Sequence, residues 1–107
     1  MRPATWYHIV MRVIALRTLR EFWTAHADAE TALHTWYSDA RRANWKSSQE
    51  IKAIYPHASV INSSRVVFNI RGNRYRLVAA INYEFETVYI RFVGTHAEYD
   101  QIDAATI

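Results

Sequence analysis

The spacing of apolar residues changes once along this chain, and that change constrains its fold more than any other feature. Between Ala29 and Ala40, apolar residues recur at steps of three and four, which places them on one face of an α-helix. From Arg65 onward, apolar and polar residues alternate, which is the period of a half-buried β-strand. Pro56, which lacks a backbone N–H, separates the two halves. This order predicts an α+β domain in which an N-terminal strand and two to three helices pack on one face of an antiparallel sheet.

The first half is expected to contain one strand and three helices. The predicted elements are a strand over residues 12–16, a short helix from Thr18 to about Ala25, a longer helix from Asp28 to about Arg42, and a short helix from Ser47 to about Ile54. Thr18 and Ser47 are each followed three residues later by Glu, which is the spacing of a capping box. Asp28 is a candidate N-cap for the longer helix.

The second half predicts a three-stranded antiparallel meander at residues 65–70, 75–82 and 87–93, followed by a short helix at 96–102. A turn at Gly72-Asn73 pairs Ile70 with Tyr75, and the next pairing joins Ile81 to Val88. Because strand side chains alternate, this register fixes both faces of the sheet. The face predicted to lie against the helices holds Val66, Phe68, Ile70, Tyr75, Leu77, Ala79, Ile81, Val88, Ile90 and Phe92.

The opposite face of the predicted sheet combines arginines with Asn and Tyr. It holds Arg65, Val67, Asn69, Arg76, Val78, Ala80, Asn82, Tyr89, Arg91 and Val93. Exposure to water alone explains a half-polar face, but Lys, Glu and Thr, the usual solvent-facing strand residues, are scarce here. Arginines with an amide and an aromatic ring are typical of a surface that contacts phosphates and bases. The pattern alone leaves both interpretations open.

The composition agrees with a single soluble, cytoplasmic domain that binds nucleic acid. The 107 residues, half of them hydrophobic, are enough for one core. There is no Cys, and no apolar run approaches the roughly 18 residues of a membrane span. Eleven of the 13 basic residues are Arg and the net charge is +3, which favours phosphate as a ligand. Residues 1–10 do not fit the pattern that follows, so they are interpreted as an N-terminal extension or an alternative start, with a single domain over residues 11–107.

His96 is the best candidate for proton transfer because of its position in the chain. It comes just after the last predicted strand and Gly94, and Tyr99 lies three residues beyond it. An imidazole can act as general acid or base near neutral pH. Thr95 and Glu98 also have the spacing of a helix cap, which would make His96 an ordinary first-turn residue. The histidines lack metal-ligand spacing and no Ser-His-Asp or Gly-rich phosphate motif stands out, so no metal or cofactor is expected.

Several of these segments together resemble the HigB family of type II toxins. The similar segments are RVVFNI at residues 65–70, GNRYRLV at 72–78, YIRFVGTHAEYD at 89–100, residues 18–23, and the stretch from Trp36 to Trp45. The resemblance extends over residues 11–107. It implies a RelE-like fold and metal-independent cleavage of mRNA, often on the translating ribosome. It also implies a HigA-type helix-turn-helix antitoxin as partner, contact with operator DNA only through that antitoxin, and no membrane.

The resemblance further implies roles for individual residues. The catalytic candidates are Arg76, Arg91, His96 and Tyr99, and the RNA-binding candidates are Lys52, Arg65, Asn69 and Arg74. The two arginines of the first set would hold the scissile phosphate, His96 would move a proton, and Tyr99 would move a second proton or stack on a base. Asn69 would orient the substrate, while the other basic residues would grip the RNA backbone.

Two other functions agree with the same fold. One is poisoning of gyrase, as in the related ParE-type toxins, which act by binding. The other is RNA binding without cleavage. The arginine-rich face with His96 and Tyr99 favours cleavage over both.

Overall fold

The elements follow one another in the predicted order, although their ends differ. The computed structural model of the protein describes residues 10–107. Its elements are β1 (Arg12–Ile14), α1 (Leu16–Ala25), a 3₁₀ turn (Ala27–Ala29), α2 (Glu30–Arg42), α3 (Ser48–Ile54), β2 (Ser59–Val60), β3 (Arg65–Ile70), β4 (Tyr75–Asn82), β5 (Thr87–Thr95) and α4 (His96–Tyr99). The prediction about residues 1–10 falls, except for Val10, outside the described residues. Among residues 10–107, none of the helices has the length and apolar character of a membrane-spanning segment.

The five strands form one sheet in the order β1-β5-β4-β3-β2. β1 runs parallel to β5, and the other neighbours are antiparallel. The predicted meander is confirmed, with Ile70 opposite Tyr75 and Ile81 opposite Val88. The short strand β2 at the sheet edge was not predicted, because two exposed residues are too few to show a period. The predicted α+β class is therefore confirmed.

Phe68 lies at the centre of the inner face, which is the face that the helices cover. Its ring packs edge-on against Trp36 of α2 and against Tyr55, with 5.3 Å between ring centroids in each case, and it stacks on Trp45 at 6.1 Å. Leu33 of α2 is also completely buried. Burial of each large side chain contributes up to about 3 kcal/mol. This cluster explains why the helices pack on this face.

Two predicted capping boxes are wrong in detail. β1 ends at Ile14, earlier than predicted, and α1 begins at Leu16, so Thr18 lies inside the helix. At α3, the Glu50 carboxylate accepts a hydrogen bond from the Lys46 N–H instead of the Ser47 N–H. In both places the spacing indicated the helix correctly, but the fold of the preceding residues decided which N–H groups needed a partner.

A β-bulge in β5 changes which side chains reach each face. Ala79 pairs with Ile90 and Val78 with Phe92, so Arg91 has no partner on β4. Because one extra residue reverses the alternation beyond it, Phe92 lies on the outer face and Val93 on the inner face. The prediction that placed Phe92 inside and Val93 outside is therefore wrong. The bulge supplies the outer face with an aromatic ring that the uninterrupted pattern assigned to the core.

Candidate functional site

Side chains on the outer face of the sheet fall into three cross-strand rows. The apolar end contains Ile14, Tyr89, Ala80 and Arg65, the covered middle contains Phe92, Val78 and Val67, and the arginine end contains Gly94, Arg76 and Asn69. Each row crosses several strands, so its residues are brought together by strand pairing and not by sequence proximity. The three rows differ in what lies over them.

Residues 102–107 lie over the covered middle. Val67 and Val78 are buried beneath Ala104, with Ile102 and Ile107 packed beside them. Two arginines hold this segment in place at one main-chain oxygen, that of Ile107. The Nη2 of Arg65 donates to it at 2.7 Å and the Nε of Arg91 donates at 3.2 Å. These two guanidinium groups therefore have a structural partner on the face that was predicted to be open.

Arg76 is the central side chain of the arginine end. Its register partners are Asn69 on β3 and Gly94 on β5. The guanidinium carbon lies 6.0 Å from the ring centroid of Tyr99, which in turn lies 6.4 Å from the ring of Phe92. Arg76 forms no ion pair within residues 10–107, and only its Nη1 donates hydrogen bonds, to main-chain oxygens that include that of Asn73 at 3.1 Å. Most of its donors are therefore available to an anion.

His96 is the first residue of α4, which starts directly at the end of β5. Thr95 and Glu98 form a capping box that fixes this helix, as their spacing predicts. The His96 Nδ1 lies 3.4 Å from a carboxylate oxygen of Asp100, and the imidazole is about half exposed, at 52%. A ring held at Nδ1 can present Nε2 to a ligand. A Cβ on Gly94 would lie 2.5 Å from the Phe92 ring, so only glycine permits this close packing beside Arg76.

The structure brings together some of the predicted site residues and separates others. Arg76, Asn69 and Tyr99 meet at the arginine end, and His96 begins the helix that carries Tyr99. The remaining four candidates are held by other parts of the chain, namely Arg65 and Arg91 by Ile107, Arg74 by Asp28, and Lys52 by the loop at 56–58.

Asp28 has a different role from the N-cap that was predicted for it. Its carboxylate accepts a hydrogen bond from the Tyr75 hydroxyl and pairs with Arg74 at 3.0 Å and Arg71 at 3.5 Å. The hydrogen bond from Tyr75 and then the two arginines hold the pKa of Asp28 below its usual value. The cluster fastens the 3₁₀ turn to the β3–β4 hairpin. Because this hydrogen bond and these ion pairs orient the carboxylate toward the hairpin, it does not cap α2.

A cavity of about 530 Å³ opens beside the arginine end, between residues 55–58 and the β3–β4 hairpin. Asn69, Gly72 and Asn73 line its hairpin side. Sequence reasoning missed this cavity because Pro56 was interpreted only as a helix stop. The one available signal was His57, a polar aromatic residue directly after that stop. Lys52 stabilises the wall formed by residues 55–58, since its Nζ donates to the main-chain oxygens of Pro56 at 2.9 Å and Ala58 at 2.8 Å.

A sequence model of the HigB toxin family, described as the RelE-like toxic component of a toxin-antitoxin system, matches residues 29–102. The chain belongs to the HigB toxin family. The resemblance inferred from the strand motifs and the RelE-like fold class are thereby confirmed. The match includes the arginine end, α4 and the cavity, so these features lie within the family's domain.

Relatives agree with the family match over most of this HigB-family chain. It is 29% identical over 92 residues to the mRNA interferase toxin HigB of Escherichia coli K12, which is 84% of this chain and 88% of the relative. The mRNA interferase HigB of Shigella flexneri gives the same identity and coverage. The mRNA interferase HigB of Escherichia coli O6:H1 is 22% identical over 94 residues, 86% of this chain and 91% of the relative.

Proposed function

We propose that this chain is an mRNA endoribonuclease that arrests translation until its antitoxin neutralises it. The observation that carries the proposal is the arginine end, where Arg76 lies between Asn69 and Gly94 and against Tyr99, with most of its donors not used by residues 10–107. An open guanidinium beside an amide, a phenol and an imidazole is suited to a phosphodiester and the groups around it. The names of the relatives support cleavage of mRNA as the reaction.

The chemistry needs one base, one acid and a stabiliser of negative charge. The RNA 2′-oxygen attacks the adjacent phosphorus, its proton passes to a base, and the bond to the 5′-oxygen breaks as that oxygen takes a proton from an acid. The products are a 2′,3′-cyclic phosphate and a free 5′-hydroxyl. Because the nucleophile belongs to the RNA itself, the reaction proceeds without a metal-activated water. Arg76 stabilises the charge that develops on the phosphate oxygens.

The proton transfers are assigned to α4. His96 is assigned one of them, because Asp100 holds Nδ1 and Nε2 can then contact the ligand. Tyr99 lies against Arg76 and serves as the second proton-transfer group or as a stacking surface for a base. Arg91 contributes its terminal N–H groups, since only its Nε donates to Ile107. Asn69 orients the substrate, and Arg65, Arg74 and Lys52 add positive charge along the RNA path.

The partners of this reaction are proposed by analogy with the family. A HigA-type helix-turn-helix antitoxin would block the arginine end, and the toxin would contact operator DNA only through it. The mRNA would be cut on the translating ribosome, in the cytoplasm. The toxin domain is assigned to residues 11–107.

Inducible expression in bacteria tests the proposal, with primer extension on an abundant mRNA as the readout. The wild type should arrest growth and create new mRNA 5′ ends, and an Arg76→Ala, His96→Ala double variant should do neither. An Arg17→Ala, His34→Ala variant is the matched control, since both side chains are exposed and lie on helices of the opposite face. Growth arrest with intact mRNA would overturn the ribonuclease and direct attention to gyrase. Cleavage of naked mRNA as fast as ribosome-bound mRNA would contradict the ribosome assignment.

A further inference from the structure

The cavity beside the arginine end has a preformed wall. The Lys52 Nζ donates to the main-chain oxygens of Pro56 and Ala58. The Ala58 N–H in turn donates to the main-chain oxygen of Tyr55 at 3.0 Å. The Tyr55 hydroxyl donates to an Asp39 carboxylate oxygen at 2.6 Å. Its burial and the neighbouring carboxylate raise the pKa of Tyr55, so the hydroxyl stays protonated and the bond to α2 persists. A ligand would enter a site whose walls are already ordered, which lowers the entropic cost of binding.

The lining of the cavity suits an uncharged, planar and polar-edged ligand. Its surface is mostly apolar, and its polar groups include two amides and an imidazole, from Asn69, Asn73 and His57. Among the residues from 10 to 107, no carboxylate and no Lys or Arg side chain lines it. A phosphate would therefore find no cation here, whereas Arg76 offers one on the neighbouring strand. Amides can donate and accept at the same time, which is the pattern presented by the edges of nucleobases.

Asn69 links the cavity to the arginine end. It lines the cavity and is also the register partner of Arg76 on antiparallel strands. Residues paired in this way have Cα atoms only about 5 Å apart. A base in the cavity and a phosphate at Arg76 can therefore belong to neighbouring nucleotides of one strand. The volume of about 530 Å³ is within the range of small-molecule sites.

We propose that this cavity binds one nucleobase of the RNA next to the scissile phosphate and so sets the sequence preference of cleavage. The inference rests on the proposed ribonuclease function. Single-stranded RNA is read in this way, by splaying a base into a pocket where amides contact its edge. Asn73 and His57 are then specificity residues that contact the base, and Lys52 is a positioning residue that acts through the wall.

The first experiment maps cleavage sites on ribosome-bound mRNAs whose coding sequence is randomised, using purified protein and purified ribosomes. The wild type should favour one base at one fixed position beside the cut. Asn73→Ala and His57→Ala should each flatten that preference at least about fivefold, since a well-placed edge contact discriminates bases by this much or more. Asn44→Ala is the matched control, because Asn44 is an exposed Asn outside the cavity lining and should leave the preference unchanged. Cleavage with an unaltered preference in both cavity variants would overturn the proposal.

The second experiment reports on the cavity without requiring catalysis. Adenosine, guanosine, cytidine and uridine are added in turn to ¹⁵N-labelled protein, and the side-chain amide signals of Asn69 and Asn73 are followed by NMR. At least one nucleoside should shift both signals and leave that of Asn44 in place. Such shifts in a protein that does not cut RNA would support the base pocket while refuting the ribonuclease. Signals that move only when the antitoxin is added, and with none of the four nucleosides, would overturn the RNA assignment.

Discussion

The inner and outer faces of the sheet are closed to different extents. The inner face is covered along its length by α1, α2 and the residues that follow α2, with Phe68 at its centre. Within residues 10–107, the outer face is closed only at its middle, by residues 102–107, while Ile14 and Tyr89 at one end remain more than a third exposed. The inner face thus stabilises the fold. The outer face keeps a charged surface accessible at the arginine end, while residues 102–107 shield the strands at its middle. Mutations on the two faces should therefore separate effects on folding from effects on activity.

The largest effect should come from the inner face. Phe68→Ala removes a fully buried ring that contacts three other aromatic residues, so the free energy of unfolding should fall by about 3–5 kcal/mol. Chemical denaturation measures this change. Phe85→Ala is the control, because this ring is 71% exposed and its loss should change stability by less than about 0.5 kcal/mol. Equal losses in the two variants would refute the assignment of the core to this face.

For Arg76→Ala we expect a small change in stability and a large loss of activity. The guanidinium forms no ion pair among residues 10–107, so the free energy of unfolding should change by less than about 1 kcal/mol. The rate of RNA cleavage should fall about 100-fold or more, since a charge-stabilising donor is lost. Single-turnover kinetics measure the cleavage rate, and chemical denaturation of the same sample measures the free energy of unfolding. A variant that unfolds more easily but cuts normally would show that Arg76 is structural.

Gly94→Ala tests how closely β5 and α4 are packed. The added methyl would lie 2.5 Å from Phe92 and 2.8 Å from the Glu98 carboxylate, so both side chains must move. We expect a loss of about 1–3 kcal/mol in stability, together with slower cleavage, because Phe92 supports Tyr99 and Glu98 caps α4. Thermal unfolding and cleavage rates should change together. Unchanged values of both would mean that the arginine end does not depend on this contact.

The smallest effect concerns pH and the cluster around Asp28. Because the pKa of this carboxyl is lowered on folding, its contribution to stability is present above its ordinary value of 3.8 and is lost as the pH falls through the lower folded-state pKa. The stability difference between the wild type and Asp28→Asn should therefore be constant from pH 7 to about 5 and shrink below about pH 4. Urea denaturation at several pH values measures it. A difference that grows on acidification would contradict the ion-pair geometry.

Strands β3 and β4 and most of the inner face were predictable from the sequence because a single local rule determines them. The register of β3 and β4 follows from one turn, and the alternation then places Phe68 and Leu77 inside. The bulge at Arg91 was not predictable, since residues 89–93 alternate smoothly and no local signal marks the extra residue, whereas in the fold Phe92 packs in the cluster that contains Ala104 and Ile102. The roles of Arg65 and Arg91 at Ile107 depend on the same contacts.

The candidate site was predicted in part. Arg76 and Asn69 could be placed side by side from the alternation of the strands, and the structure adds Tyr99 beside Arg76. The cavity was missed because its two walls are distant in sequence and meet only through the fold. The cap predicted at Asp28 failed for a similar reason, since Asp28 binds Tyr75 and the hairpin arginines instead of its own helix, whereas the cap at Thr95 and Glu98, which needs only local contacts, was predicted correctly.

The bulge also has a consequence for chain length. Arg91 is the residue of β5 without a partner on β4, while the pairs Ala79–Ile90 and Val78–Phe92 lie on either side of it. Deleting Arg91 would therefore straighten the strand and keep every pair beyond it, whereas deleting Val93 would move Gly94 and α4 by one position against β4. The register of the site should therefore tolerate the loss of Arg91 but not the loss of Val93, whereas the cleavage rate should fall in both cases, because the Arg91 guanidinium is assigned to the phosphate and also holds Ile107. Deletion of Arg91 thus removes its guanidinium while preserving the register that positions His96.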